Sequence, residues 1–314
     1  MAQLFPACSA SSRQASSGLD EFHRRLAASH AARLSPANGA LDWERALAEE
    51  FAVRRMEHEF VEAERAAIAQ QLRDVPSKPK AFVHWFEALK ENGPGQGDAL
   101  FPWLAERASF EEMCWFLSQE MAGEAGFDDL VALSQVKLSV RPKLELARNY
   151  WDEMGQGNES GMHGPMLAQL ATALAIGRRD DTVWESLALG NLMVALATAR
   201  HYAYQSIGAL GVIELTAPGR AELVNAGLRR LGIGGAARRY FALHATLDIR
   251  HSQAWNREVL EPLVASDPEL AAPLAEGAVL RLRAGARCFE RYRAILWSNA
   301  DDPPPSGDRL VGLG

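Results

Sequence analysis

From Ser109 to Leu296 the sequence carries helical apolar spacing almost without interruption, and strand-like alternation is nearly absent. That property confines the chain to helix-on-helix packing, because a helix with one apolar stripe can bury it only against a neighbour's stripe or a sheet. Helices are expected over 109–122, 127–137, 142–154, 162–176, 182–217, 219–231, 235–265 and 268–296, with a break in the fifth near Gly208 or Gly211. An earlier helix covers 41–75 and stops at "PSKP", since proline cannot continue a helix interior. The stretch "NGPGQGDALFP" (92–102) reads as a loop. No repeat or interior linker divides the helical part. Residues 41–298 are therefore expected as one helical domain, after a loose Ser- and Ala-rich segment over 1–40 and before an irregular tail over 299–314.

With 314 residues, 48% of them hydrophobic, the chain can bury a substantial core. A net charge of −7 argues against a grip on nucleic-acid phosphates, which needs a concentrated basic face. Cys8, Cys114 and Cys288 are scattered and odd in number, which gives neither a disulfide framework nor a thiolate metal site and fits a reducing cytoplasm. The N-terminus lacks the apolar core of a signal peptide, and no run approaches the roughly 18 apolar residues of a membrane span. A cytoplasmic protein with no membrane partner is the expectation.

Within "YFALHATLDIRHSQAW" (240–255), His244, Asp248 and His251 stand four and three residues apart. At about 100° per residue all three share one helix face, together with Phe241 and Trp255, so the polar groups lie inside an apolar stripe. Taken alone, the trio fits equally a pair of satisfied core histidines and a capping or salt-bridging aspartate. A helical bundle, however, builds metal sites from side chains on several facing helices, and two further sources are present. Glu153 closes one helix pattern and His163 opens the next across "GQGNESG", whose glycines permit a tight turn. Glu214 follows a run of small and apolar residues with no base beside it. The ordinary alternatives are a plain helix connection and a helix-end glutamate before "APG". Three histidines and three carboxylates suit iron or manganese better than a cysteine-based zinc site.

The combination of "ARNYWDEMGQG" with a following His, an isolated Glu and "HATLDIRH" resembles the heme-oxygenase-like diiron oxidase and oxygenase family, over roughly residues 109–266. The resemblance implies an all-α, heme-oxygenase-like seven-helix bundle, here with extra N-terminal helices. It implies two Fe(II) ions bound by Glu153, His163, Glu214, His244, Asp248 and His251, with O2 as co-substrate. Some members add a carboxylate from the preceding helix, for which Glu120 and Glu124 are both available. Family members N-oxygenate amines, cleave carbon–carbon bonds oxidatively or rearrange amino-acid scaffolds in natural-product biosynthesis. Beside the ligands, Asn149 and Asp152 could orient them through hydrogen bonds, and Arg148 and Arg250 could pair a substrate carboxylate.

Three other functions compete. A heme oxygenase or cofactor-independent oxidase on the same bundle would need one axial histidine and leave the carboxylates without a purpose. A thiaminase-like hydrolase would want a pocket cysteine, and Cys114 is poorly placed. A non-catalytic helical binding protein would make the three histidines and three carboxylates a coincidence. The long C-terminal helix either closes the bundle or makes a homodimer contact.

Overall fold

Ser109 opens the first site-bearing layer with a reciprocal cap: its side chain accepts from the Glu112 amide, and the Glu112 carboxylate accepts from the Ser109 amide. The helix it starts is α5 (Phe110–Gly123), preceded by α1 (Ala10–Leu34), α2 (Trp43–Ile68), α3 (Pro79–Asn92) and α4 (Leu100–Glu106). Beyond it run α6 (Phe127–Ser134), α7 (Val140–Glu153), α8 (His163–Ala173), α9 (Trp184–Thr198), α10 (Ala203–Arg230), α11 (Arg239–Trp255), α12 (Glu261–Ser266) and α13 (Ala271–Leu296). These come from a computed structural model that describes residues 10–36, 39, 42–177 and 181–299. No strand occurs among the described residues, and none of their helices is long and apolar enough to cross a membrane.

The two innermost helices have different reasons to be there. On α9, Leu189, Leu192, Met193 and Leu196 are buried on every side, the mark of a helix enclosed all round. On α10, small residues let neighbours approach closely. A Cβ on Gly208 would collide with the Leu274 carbonyl of α13, and one on Gly277 of α13 would collide with the Gln205 carbonyl of α10. The two glycines thus set a backbone-to-backbone crossing. This corrects the break expected near Gly208 or Gly211: α10 runs through both, and the interruption falls instead at Ala199–Tyr202. Pro218 also lies within α10, and its missing N–H deprives the Glu214 carbonyl of its helical donor. With α13 packed against α9 and α10, the C-terminal helix closes the bundle.

Other segments also depart from expectation. Much of the loose N-terminal segment is the helix α1, with Leu26 buried and His23 stacked on Trp184 at 5.6 Å. Its stability comes from buried polar contacts that low hydrophobicity conceals: Asn191 Nδ2 donates to the His23 carbonyl, and His30 meets Glu57 at 2.7 Å. The helices α3 and α4 were not anticipated, α3 starting on Pro79 and α4 inside the apparent loop. Regular α11 ends at Trp255, and a π-helical turn, Asn256–Leu260, leads into α12. Of the irregular tail, 300–314 lies outside the described residues.

Candidate metal centre

Four helices converge on one buried point. The last turn of α7 supplies Asn149, Asp152 and Glu153, α8 opens on His163, α10 contributes Glu214, and α11 carries His244, Asp248 and His251. The α7–α8 connection folds back on itself through two 3-10 turns, closed by an antiparallel bridge between Met154 and Met162. Gly155 makes this possible: its φ of 61° is left-handed, and a Cβ there would strike the Gly161 backbone.

Five of the six residues singled out by sequence fall into two donor triads, and the sixth, Asp248, belongs to neither but feels the charges of Glu214 and Glu153. Donor atoms of Glu153, His163 and His244 lie within 4.8 Å of one another, and so do those of Glu153, Glu214 and His251. Glu153 belongs to both triads. His163 Nδ1 and Glu153 Oε2 approach to 2.5 Å without the alignment of a hydrogen bond, leaving both nitrogens of His163 unsatisfied. His251 Nδ1 stands 3.4 Å from Glu214 Oε1 and is likewise unsatisfied, as is Asp248 Oδ1. Buried donors and acceptors are normally paired, so this concentration of unsatisfied polar atoms calls for a partner the side chains do not provide.

The electrostatics carry the same strain. Burial and the Glu214 and Glu153 charges push the Asp248 carboxyl up to about 10, and burial with the Glu214 charge raises Glu153 well above the carboxylate range. Burial lowers both His163 and His244 to about 4, keeping the imidazoles neutral. Burial also works against protonated His251, but Glu214 and Asp152 outweigh it and lift the ring to about 9. Carboxyls crowded enough to hold protons, beside the neutral rings of His163 and His244, form a pocket in which a cation would take the protons' place.

The surrounding contacts aim these groups. His244 Nδ1 donates to the Tyr240 carbonyl at 2.7 Å, which fixes the tautomer and leaves the Nε2 lone pair available. Asn149 Nδ2 donates to Glu214 Oε1 at 2.5 Å, and His251 Nε2 donates to Asp152 Oδ2 at 3.2 Å. A cavity of about 210 Å³ opens from the cluster, with Glu153, His163, Glu214, His244 and Asp248 in its lining.

Glu120 and Glu124 both line the cavity outside the two triads. Glu124 accepts from the Gly126 and Phe127 amides and so caps the start of α6. Asp128, which sequence reasoning passed over, lines the cavity and acts on both Glu153 and His163 with its charge. Arg148 and Arg250 prove to be outward-facing, Arg148 pairing with Glu145 on α7. The guanidiniums inside the cavity are Arg220 and Arg281. A basic residue in the apolar run around "APGRAEL" was the only signal for the first, and nothing marked the second.

A family model described as iron-containing redox enzyme matches residues 114–286, more than half of the chain. No curated protein matches it.

Proposed function

The chain belongs to the iron-containing redox enzyme family, with a heme-oxygenase-like all-helical bundle, and on that premise we propose that it is a non-heme diiron oxygenase or oxidase. Glu153, His163, Glu214, His244, Asp248 and His251 bind two Fe(II) ions, O2 is the co-substrate, and a small amino-acid-derived compound is oxidised in natural-product biosynthesis. The observation that carries this reading is the sharing of Glu153 between two donor triads. A carboxylate has two oxygens and can serve two cations at once. Two ferrous ions would supply the electrons that dioxygen requires.

What the protein's own groups do follows from their contacts. His163 and His244, neutral through burial, present lone pairs with no proton to displace. The Tyr240 carbonyl, Asn149 and Asp152 hold His244, Glu214 and His251 in place. Asp248, buried and with one oxygen unsatisfied, adds a third carboxylate to the cluster. Apolar side chains such as Leu167, Ile213 and Phe241 line the rest of the space and limit the water within it. A single axial histidine for heme would leave three buried carboxylates without a counter-charge. Oxygen insertion at nitrogen and oxidative carbon–carbon cleavage are both chemistries of such a centre.

The test is an anaerobic ferrous titration of the metal-free protein beside His244→Ala and Glu214→Ala. About two irons per chain, reduced in each variant, is the expected result. A wild-type chain that takes up one iron or none would sink the diiron reading.

A further inference from the structure

The cavity extends past the donor triads to a basic end. Arg220 on α10 and Arg281 on α13 both line it. Arg220 makes one hydrogen bond among the described residues, to Thr216 Oγ1 at 3.2 Å, and its guanidinium lies 5.8 Å from the Phe101 ring and 5.6 Å from that of Phe289. Arg281 makes no hydrogen bond or ion pair among the described residues, and its Nε is buried without a partner. Burial, together with each other's proximity in the case of Arg220, pulls both guanidiniums below their ordinary range, Arg220 to about 10.

Two like charges facing one enclosed space, with no described carboxylate at ion-pair distance, form a costly arrangement for a folded chain. The nearest counter-charge is Glu120, which acts on both arginines and also lines the cavity. Glu124, one turn further, is committed to the α6 cap. This end therefore offers two guanidiniums and one carboxyl, Glu120, on which Tyr292 also acts, the complement of a group bearing one carboxylate and one ammonium. Planar, multiply donating guanidiniums are suited to carboxylate oxygens.

We propose that this end of the cavity is the head-group site for an α-amino acid, with the substrate carboxylate between Arg220 and Arg281 and its ammonium on Glu120. The side chain then runs along α10, past Ile213 and Ala217, to the Glu153, His163, Glu214 and His244 cluster. Six residues separate Glu214 from Arg220, so the two ends lie about 9 Å apart along the helix axis. Oxidation accordingly falls several bonds out on the side chain, away from the α-carbon. Only this last consequence rests on the redox reading above; the head-group chemistry stands without it.

The experiment is anaerobic calorimetric titration of the iron-loaded full chain with L-norleucine, with hexanoate and hexylamine as probes carrying only one of the two charges. L-Norleucine binds saturably, and each single-charge probe binds about tenfold more weakly or worse, because it leaves a buried charge unmatched. Arg281→Met and Arg220→Met each weaken L-norleucine by about 30-fold or more. Glu120→Gln removes most of the preference for L-norleucine over hexanoate. Arg281→Lys guards against misfolding of the Met variant and loses affinity while keeping the charge. Iron content is measured on every sample. Norleucine binding that depends on the arginines in a chain that takes no iron keeps the head-group site and removes the redox reading. Undetectable L-norleucine binding by the iron-loaded wild type overturns the proposal, as does affinity unchanged in both Met variants. Hexanoate binding as tightly as L-norleucine overturns the amino-acid class.

Discussion

Asn149 Nδ2 donates to Glu214 Oε1 across 2.5 Å, tying the last turn of α7 to the middle of α10 over 65 positions of sequence. Glu214 belongs to the triad with Glu153 and His251, whereas His163 and His244 belong to the other. Asn149→Ala should therefore weaken one ferrous ion selectively, by about 10- to 100-fold, the usual effect of removing a group that orients a ligand. An anaerobic titration would turn from one phase to two. Equal loss of both ions would show that Asn149 supports the fold and not one triad.

Loading with metal should stabilise the chain strongly, because it gives a partner to buried polar atoms left unsatisfied on His163, His251 and Asp248. At a free ferrous concentration a hundred times Kd, each site adds about 2.7 kcal/mol. Differential scanning calorimetry under anaerobic conditions reads this as a rise in Tm that Glu153→Gln largely abolishes, since Glu153 is common to both triads. A wild-type Tm indifferent to Fe(II) would contradict it.

Acid should loosen the N-terminal helices first. Burial raises the Glu57 carboxyl, but hydrogen bonds from His30 and Arg33 and the charges of Arg33 and Arg54 outweigh it, bringing the group from 4.5 down to about 2. A depressed carboxyl binds its proton more readily in the unfolded chain, so its contribution is complete above about pH 4.5 and is lost as pH falls toward 2. Glu57→Ala should cost about 3 kcal/mol at pH 7, the low end for a buried pair because Arg54 is about a third exposed. Urea unfolding at pH 7 and pH 3 measures both, and the variant's deficit should shrink at the lower pH.

How far the sequence spoke depends on the kind of signal. The five residues of the two triads, and Asp248 near them, could be picked out because each stood out locally: a histidine or carboxylate in an apolar helical frame has few cheap explanations. The helices were legible by periodicity, yet the break in the long central segment was misplaced, because Gly208 and Gly211 mark close packing against α13 and Trp255 and leave the helix whole. α1 escaped notice since its burial rests on polar contacts such as His30 with Glu57, which apolar spacing does not register. Arg220 and Arg281 escaped because their inward direction depends on which face α10 and α13 turn to the cavity. Arg148, beside Asn149, and Arg250, beside His251, were poor guides for the same reason: adjacent residues on a helix are rotated about 100° apart.

At the crossing of α10 and α13 the order of magnitude is set by space alone. A methyl group on Gly208 meets the Leu274 carbonyl and one on Gly277 meets the Gln205 carbonyl, both backbone atoms that cannot swing aside. Gly208→Ala and Gly277→Ala should each destabilise the chain by about 1–3 kcal/mol or more, despite alanine's better helix propensity. Thermal unfolding that shows either variant as stable as wild type would mean the helices separate more easily than this packing implies.

The tautomer of His251 gives the sharpest prediction. Its Nε2 donates to Asp152 Oδ2, which leaves Nδ1 as the nitrogen facing Glu214 and the cluster, the one that gives up its proton and offers a lone pair when a metal binds. The other Asp152 oxygen, Oδ1, accepts from Gln156 Nε2 at 2.8 Å. In Asp152→Asn, the amide oxygen stays with Gln156 and its NH2 group faces His251, so the imidazole proton moves to Nδ1 and blocks the donor nitrogen. Asp152→Ala removes the guide without imposing the wrong tautomer. Ferrous affinity at the Glu153, Glu214 and His251 triad should then fall in the order wild type, Asp152→Ala, Asp152→Asn, spanning about 10- to 100-fold. Adding Gln156→Ala to Asp152→Asn frees the amide to rotate and should recover part of the loss. Anaerobic titration of wild type and the three variants decides the matter: if Asp152→Asn binds as well as wild type, Asp152 does not govern the tautomer of His251.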